Sequence, residues 1–163
     1  MFERHYVKTI VDRISETNNP LMQVVVGPRQ TGKSTMLGQA LAKIDMEQFF
    51  ISADDAIVPS EEWLQVEWQQ ARNATRSGSC PVVLVVDEIQ KVPHWSLVVK
   101  SLYDADRRND TPVRVVLSGS SSLLLHKGLE DSLMGRFELI HSPQWSYSEC
   151  SQAFGFSFDD YLY

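Results

Sequence analysis

Val7, Ile10, Val11 and Ile14 recur at helical spacing, so the chain opens on an amphipathic helix that ends before Thr17-Asn18-Asn19-Pro20. Leu21 to Val26 then reads as a buried strand, and Gly27 to Gly32 as a loop of turn formers. Helical spacing returns from Lys33, with Leu37, Ala40, Leu41 and Ile44 on one face. Phe49-Phe50-Ile51 predicts a short strand. Pro59-Ser60-Glu61-Glu62 predicts a helix start, with a capping serine and acids at the positive dipole end, and that helix runs to about Arg76. Pro81 to Val86 is an unbroken apolar run, as expected of a strand covered on both faces. Past Pro93, Trp95, Val98, Val99, Leu102 and Tyr103 are spaced as on a helix, and the pattern breaks over residues 107–112. Val113 to Leu117 predicts another strand, residues 118–122 a serine-rich turn, Leu123 to Leu125 a short helix ended by Gly128, and Phe137 to Ile140 a last strand.

Strands and helices thus alternate, which predicts right-handed crossovers and an α/β fold with a mostly parallel sheet between helical layers. The 163 residues suit one globular domain with a substantial core, and there is no internal repeat or low-complexity segment. No apolar run approaches the ~20 residues that span a bilayer, and the amino terminus lacks the apolar stretch of a signal peptide. Cys80 and Cys150 lie far apart, with neither zinc nor redox spacing; a reducing, cytoplasmic setting is expected. The formal charge of -6 argues against a broad nucleic-acid footprint, which needs many Lys and Arg on phosphates. His5, His94, His126 and His141 are scattered without a metal-binding spacing.

Gly27-Pro28-Arg29-Gln30-Thr31-Gly32-Lys33-Ser34 matches the pattern G-x-x-x-x-G-K-[ST] at every fixed position, between a predicted strand and a predicted helix. The chemistry requires this order. Glycines let backbone N–H groups turn inward around phosphate oxygens, and the following helix aims its unpaired donors at the same anion. Lys33 is expected on the β- and γ-phosphates, Ser34 on Mg²⁺, and Thr35 near the α-phosphate. Arg29 faces either nucleotide or a partner surface.

The strand Val82 to Val86 ends in Asp87-Glu88, and ligands of parallel sheets gather at the carboxyl ends of the strands. Asp87 is expected to hold Mg²⁺ while Glu88 polarises an attacking water as general base. A water-activating glutamate favours hydrolysis over phosphoryl transfer to a small molecule. The absence of an N-K-x-D sequence argues against a GTPase.

The blocks GPRQTGKST, VVDEIQKVPHW, VVLSGSSSLLL, SLMGRFE and SPQWSYSE, in this order, resemble the ATPase domain of AAA-type prokaryotic ATP-binding proteins. The resemblance covers nearly the whole chain. It implies a three-layer P-loop fold with a five-stranded parallel sheet of order 5-1-4-3-2. It also implies a γ-phosphate sensor at the end of the fourth strand, Ser118 in preference to Ser120. Arg136, in Gly135-Arg136-Phe137-Glu138, is implied as an arginine finger for a neighbouring copy, and hence a homo-oligomer; its alternative is an ordinary surface ion pair. Members of that family commonly continue into a nuclease-like second domain, so residues 1–142 are expected to form the ATP-binding domain and the aromatic-rich residues 143–163 to begin a linker or pack on the core. No helical lid is identifiable. The expected function is Mg²⁺-dependent ATP hydrolysis coupled to a conformational change in a following domain. The alternative is a nucleotide-dependent interaction switch with little turnover. For a nucleic-acid motor, Arg107, Arg108 and Lys127 are the candidate contacts, unsupported by any basic run with interleaved aromatics.

Overall fold

The computed structural model describes residues 2–19, 21–76, 80–125 and 132–162; His126, Lys127 and Gly128 lie outside them. Five strands, β1 (Met22–Gly27), β2 (Glu47–Ser52), β3 (Val82–Asp87), β4 (Val113–Ser120) and β5 (Phe137–His141), form one sheet in the order β2-β3-β4-β1-β5. Every pairing is parallel. Read from the other edge, this is the expected order 5-1-4-3-2.

Helices α1 (Tyr6–Ser15) and α2 (Lys33–Leu41) cover one face; α3 (Glu61–Arg76) and α4 (Trp95–Arg108) cover the other. The strands explain the division, because successive side chains point to opposite faces. Val25, Val83, Val85 and Val116 pack with Val7, Ile10, Ile14, Met36 and Leu37 on the first face. Val24, Val26, Leu84, Val86 and Leu117 pack with Leu64, Trp68, Val98 and Val99 on the second. Both faces are apolar, which is why the central strands read as unbroken hydrophobic runs. Fully burying a side chain of this kind contributes about 1.5–3 kcal/mol.

Ser60 caps α3 as expected, its hydroxyl accepting the Trp63 N–H at 3.1 Å. One expectation fails: residues 118–120 are strand, not turn. Pairing with β1 continues through Ser118, Gly119 and Ser120, so the ladder holds the serines in the sheet and a short 3₁₀ helix starts only at Ser121. The break expected at Arg107 also comes late, since α4 runs through Arg108. After β5 come α5 (Tyr147–Phe154), opened by a Ser146–Glu149 capping box, and the short α6 (Phe158–Leu162). Among the described residues no helix is long and apolar enough to cross a membrane.

Candidate active site

The parallel sheet sets the site. β1, β3 and β4 end on one side of the sheet, where each gives way to polar residues. β1 passes through Gly27 into the loop that leads to α2. Gly32 occupies the left-handed region at φ 79°, the conformation glycine adopts without penalty. Lys33 is buried, and its ammonium donates to the carbonyls of Gly27 at 3.1 Å and Pro28 at 2.6 Å, folding the side chain over its own loop. Burial pulls the Lys33 ammonium below the ordinary lysine range; Glu88 and Asp87 oppose this, and Arg29 adds to it. Arg29, Gln30, Gly32, Ser34 and Thr35 are exposed, so the loop is open to a ligand from solution.

Asp87 shares its parity with Val83 and Val85 and therefore points to the α2 face. There its Oδ2 accepts the Ser34 hydroxyl at 2.5 Å. Ser118 shares parity with Val116 on the neighbouring strand and donates to Asp87 Oδ1 at 2.5 Å. The Glu88 N–H adds a bond to Oδ1 at 3.0 Å. Asp87 is thus the hub that joins the ends of β3 and β4 to the first turn of α2. A hydroxyl and a carboxylate in contact form an oxygen-only donor set, which suits a hard cation such as Mg²⁺. Ser34 and Asp87 are the residues that would hold it. Among the described residues no cluster of three or more His, Cys, Asp or Glu offers a competing metal site.

Glu88 turns away from this hub. Its backbone is left-handed, at φ 54° and ψ 39°, and its Oε2 accepts the Gln90 amide at 2.5 Å. Ser120, the other sensor candidate, bonds instead to the Ser122 hydroxyl at 2.5 Å.

The structure does not bring Arg136 to this cluster within one chain. Its carbonyl accepts the Met22 N–H, at the start of β1, five residues before Gly27. At about 3.3 Å per residue that is roughly 17 Å away along the strand. The guanidinium makes a two-point pair with Asp104 of α4, at 2.7 and 3.0 Å, and that pairing holds the Asp104 carboxyl below its usual range. Arg107 and Arg108 lie in the last turn of α4, also at the amino-terminal end of the sheet. A cavity of about 400 Å³ opens there, lined in part by Asn18, Arg107 and Arg114.

Three residues around the loop, Arg4, Trp145 and Glu149, stand outside the phosphate and metal motifs. Arg4 is only 4% exposed and donates to Glu149 at 2.8 and 3.2 Å, to Ser142 Oγ at 2.9 Å and to the Pro143 carbonyl at 3.1 Å. Its guanidinium stacks 5.1 Å from the Tyr6 ring centre and 5.2 Å from that of Trp145. Trp145 in turn donates its indole N–H to the Thr31 carbonyl at 3.1 Å. The segment after β5 therefore braces the loop. The sequence marks this segment by the resembling block SPQWSYSE, by its aromatic residues and by Ser146-x-x-Glu149, which announces a helix start, but not by the buried partner of that glutamate.

An open parallel sheet with a glycine loop after β1 and an acid at the end of β3 defines a P-loop fold of AAA type. The chain belongs to the family described as AAA domain, matched over residues 19–151, a family of nucleotide-binding ATPases. It is 28% identical over 141 residues to an uncharacterised protein of Methanocaldococcus jannaschii, covering 77% of this chain and 27% of that protein. It is 23% identical over 124 residues to a uridine kinase of Clostridium tetani, covering 72% of this chain and 59% of the kinase. The chain thus spans less than two thirds of the length of either curated relative. Among solved structures it resembles one concerning katanin self-assembly, with a TM-score of 0.63, 20% identity and coverage of 93% of this chain and 55% of that one. It also resembles Cdc6p of Pyrobaculum aerophilum, with a TM-score of 0.65, 15% identity and coverage of 90% and 46%.

Proposed function

We propose that this chain binds ATP with Mg²⁺ and hydrolyses it to ADP and phosphate. The observation that carries the reading is Asp87, held between the Ser34 and Ser118 hydroxyls at the mouth of the open loop. Loop N–H groups from Gly27 to Gly32, including those of Arg29, Gln30 and Thr31, would face the phosphates, and Pro28, which has no N–H, shapes the turn. Lys33 would exchange its two carbonyl partners for phosphate oxygens, a stronger, charge-assisted pairing. Thr35 would lie near the α-phosphate. Mg²⁺ held by Ser34 and Asp87 would neutralise phosphate charge when bound.

Glu88 would take a proton from water as the water oxygen bonds to the γ-phosphorus and the bridging P–O bond breaks, leaving ADP. Ser118 would report the γ-phosphate to β3 through Asp87. Hydrolysis is preferred over a kinase reaction because a glutamate stands beside the metal-holding Asp87, and its second carboxylate oxygen, the one not bonded to the Gln90 amide, can take the water proton. The unpaired Cys80 and Cys150 suit the cytoplasm, and the output is a conformational change passed to a second copy or a following domain.

Phosphate release from Mg·ATP by the purified chain tests this, beside Lys33→Ala. The expected outcome is turnover in the parent and loss of both nucleotide binding and turnover in the variant. A parent that neither binds nor splits ATP overturns the reading. Tight binding without turnover replaces it with a nucleotide-dependent switch.

Arg136 can serve a site only in a neighbouring copy, after leaving Asp104. Turnover per chain is then expected to rise with protein concentration, and Arg136→Ala to remove the rise while sparing nucleotide affinity. A flat concentration profile that Arg136→Ala does not alter leaves Arg136 as a surface ion pair.

A further inference from the structure

Gln90 has no part in the chemistry described so far, yet its amide contacts the proposed base. It sits in the 3₁₀ turn Ile89–Lys91 just after β3, half-buried, and its Nε2 donates to Glu88 Oε2 at 2.5 Å. A carboxylate only accepts, so the amide must turn its nitrogen to Glu88 and its oxygen the other way. That oxygen is buried, and no hydrogen bond partner reaches it among the described residues. Buried polar atoms are rarely left unpaired, and each one calls for an explanation.

The neighbouring strand accommodates this orientation. Gly119 lies between Ser118, bonded to Asp87, and Ser120, and it faces the opposite side of the sheet from both. A β-carbon at Gly119 would fall 2.4 Å from Gln90 Oε1 and 3.3 Å from Leu123 Cδ1. The side chain of Gln90 thus lies in the gap left by a missing methyl group, directly on the strand that carries the Ser118 hydroxyl. Glu88 itself has the left-handed backbone that few residues other than glycine adopt, φ 54°. A strained backbone, an orphaned amide oxygen and a glycine-sized gap all converge on one hydrogen bond, the one that fixes the Glu88 carboxylate.

We propose that Gln90 is a positioning residue for hydrolysis, holding the Glu88 carboxylate in the orientation that receives the water proton while resting against Gly119 of the sensor strand. This rests on the reading of Glu88 as the base. Gln90 touches neither nucleotide nor metal in this scheme, so its loss acts on kcat and not on nucleotide affinity.

The test measures kcat, KM and nucleotide affinity in the full chain for Gln90→Leu, which keeps the apolar packing and removes the amide, and for Gly119→Ala, whose methyl group displaces the amide oxygen. Both are expected to lower kcat about 10- to 100-fold, as losses of an orienting partner do, with affinity unchanged. In a Glu88→Gln background, Gln90→Leu is expected to cause no further loss, because the two residues act as one unit. Multiplicative losses in the double variant, equal falls in affinity, or an unchanged kcat in both single variants overturn the proposal. Absence of turnover in the parent chain defeats the hydrolysis reading first, and Gln90's role with it. Turnover in the parent that survives both substitutions defeats the Gln90 assignment alone.

Discussion

Glu88→Gln is expected to keep nucleotide and lose its hydrolysis, with turnover falling about 10²- to 10⁴-fold, the range that a general base contributes. The substitution is nearly isosteric, and an amide oxygen at position 88 can still accept from Gln90 Nε2. What disappears is the charge and the ability to take a proton. Nucleotide affinity is preserved because the groups proposed to hold phosphate and metal are elsewhere. Lys33 reaches the loop from α2, and Asp87 keeps its bonds to Ser34 and Ser118. The neighbouring acid behaves differently. Asp87→Asn would replace an acceptor-only carboxylate, now receiving three donors, with an amide that must turn an N–H₂ toward at least one hydroxyl, so it costs binding and local order together. Equilibrium titration with ATP and a single-turnover assay separate the two cases. A Glu88→Gln chain that splits ATP within tenfold of the parent removes Glu88 from the role of base.

How much of this is legible in the sequence depends on how local the cause is. The strands are legible because both faces of the sheet are covered, which makes Val82 to Val86 an uninterrupted apolar run, and the helices because α1 and α2 each bury a single stripe. The loop and the acid pair are legible because phosphate and metal chemistry demand contiguous residues at fixed spacing. What escapes is whatever the fold assembles from distant positions. The end of β4 reads as a turn because Ser118-Gly119-Ser120 has turn composition; pairing with Val25 to Gly27 overrides that preference. Asp106 sits in a helix marked in the sequence only by its apolar stripe, yet it accepts the Trp68 indole at 2.7 Å and Arg72 at 2.6 Å, locking α3 to α4. Burial pushes its carboxyl above the usual range despite those donors. Gln90 falls within the resembling block VVDEIQKVPHW, but its role is not legible there, since its contact with Gly119 depends on two strands lying side by side.

Arg4 is the extreme of that class, with partners more than 100 residues away, and its removal carries the largest expected effect on stability. Arg4→Met keeps most of the apolar stem of the side chain and removes the guanidinium and its charge. It leaves Glu149 without its cation and Ser142 Oγ, the Pro143 carbonyl and the Trp145 face without their partner. Breaking a buried pair by removing one partner costs about 3–5 kcal/mol, because the remaining charge stays buried. For a domain of this size each kcal/mol moves the melting temperature by about 2–4 °C, so a fall of about 6–20 °C is expected without nucleotide. Arg4→Lys should recover little, since a point charge cannot reproduce a fork that reaches Glu149 twice while stacking between two rings.

The pH dependence identifies the pair. Burial pushes the Glu149 carboxyl up, but Arg4 and the Ser146 N–H and hydroxyl outweigh it and hold the group below the ordinary glutamate range. A carboxyl with a lowered folded-state pKa stabilises the fold fully above its unfolded value, about 4.3, and loses that contribution as pH falls through the folded value. Parent and Arg4→Met are therefore expected to differ most near neutrality and to converge on acidification below about pH 4.3. Thermal melts of both chains from neutral to acid pH decide it. A difference that stays constant with pH would assign the loss to packing against Tyr6 and Trp145 instead of the ion pair. A fall of less than 3 °C at neutral pH, set against the ~6 °C minimum expected above, would mean that the brace between Arg4, Trp145 and the Thr31 carbonyl does not hold the loop.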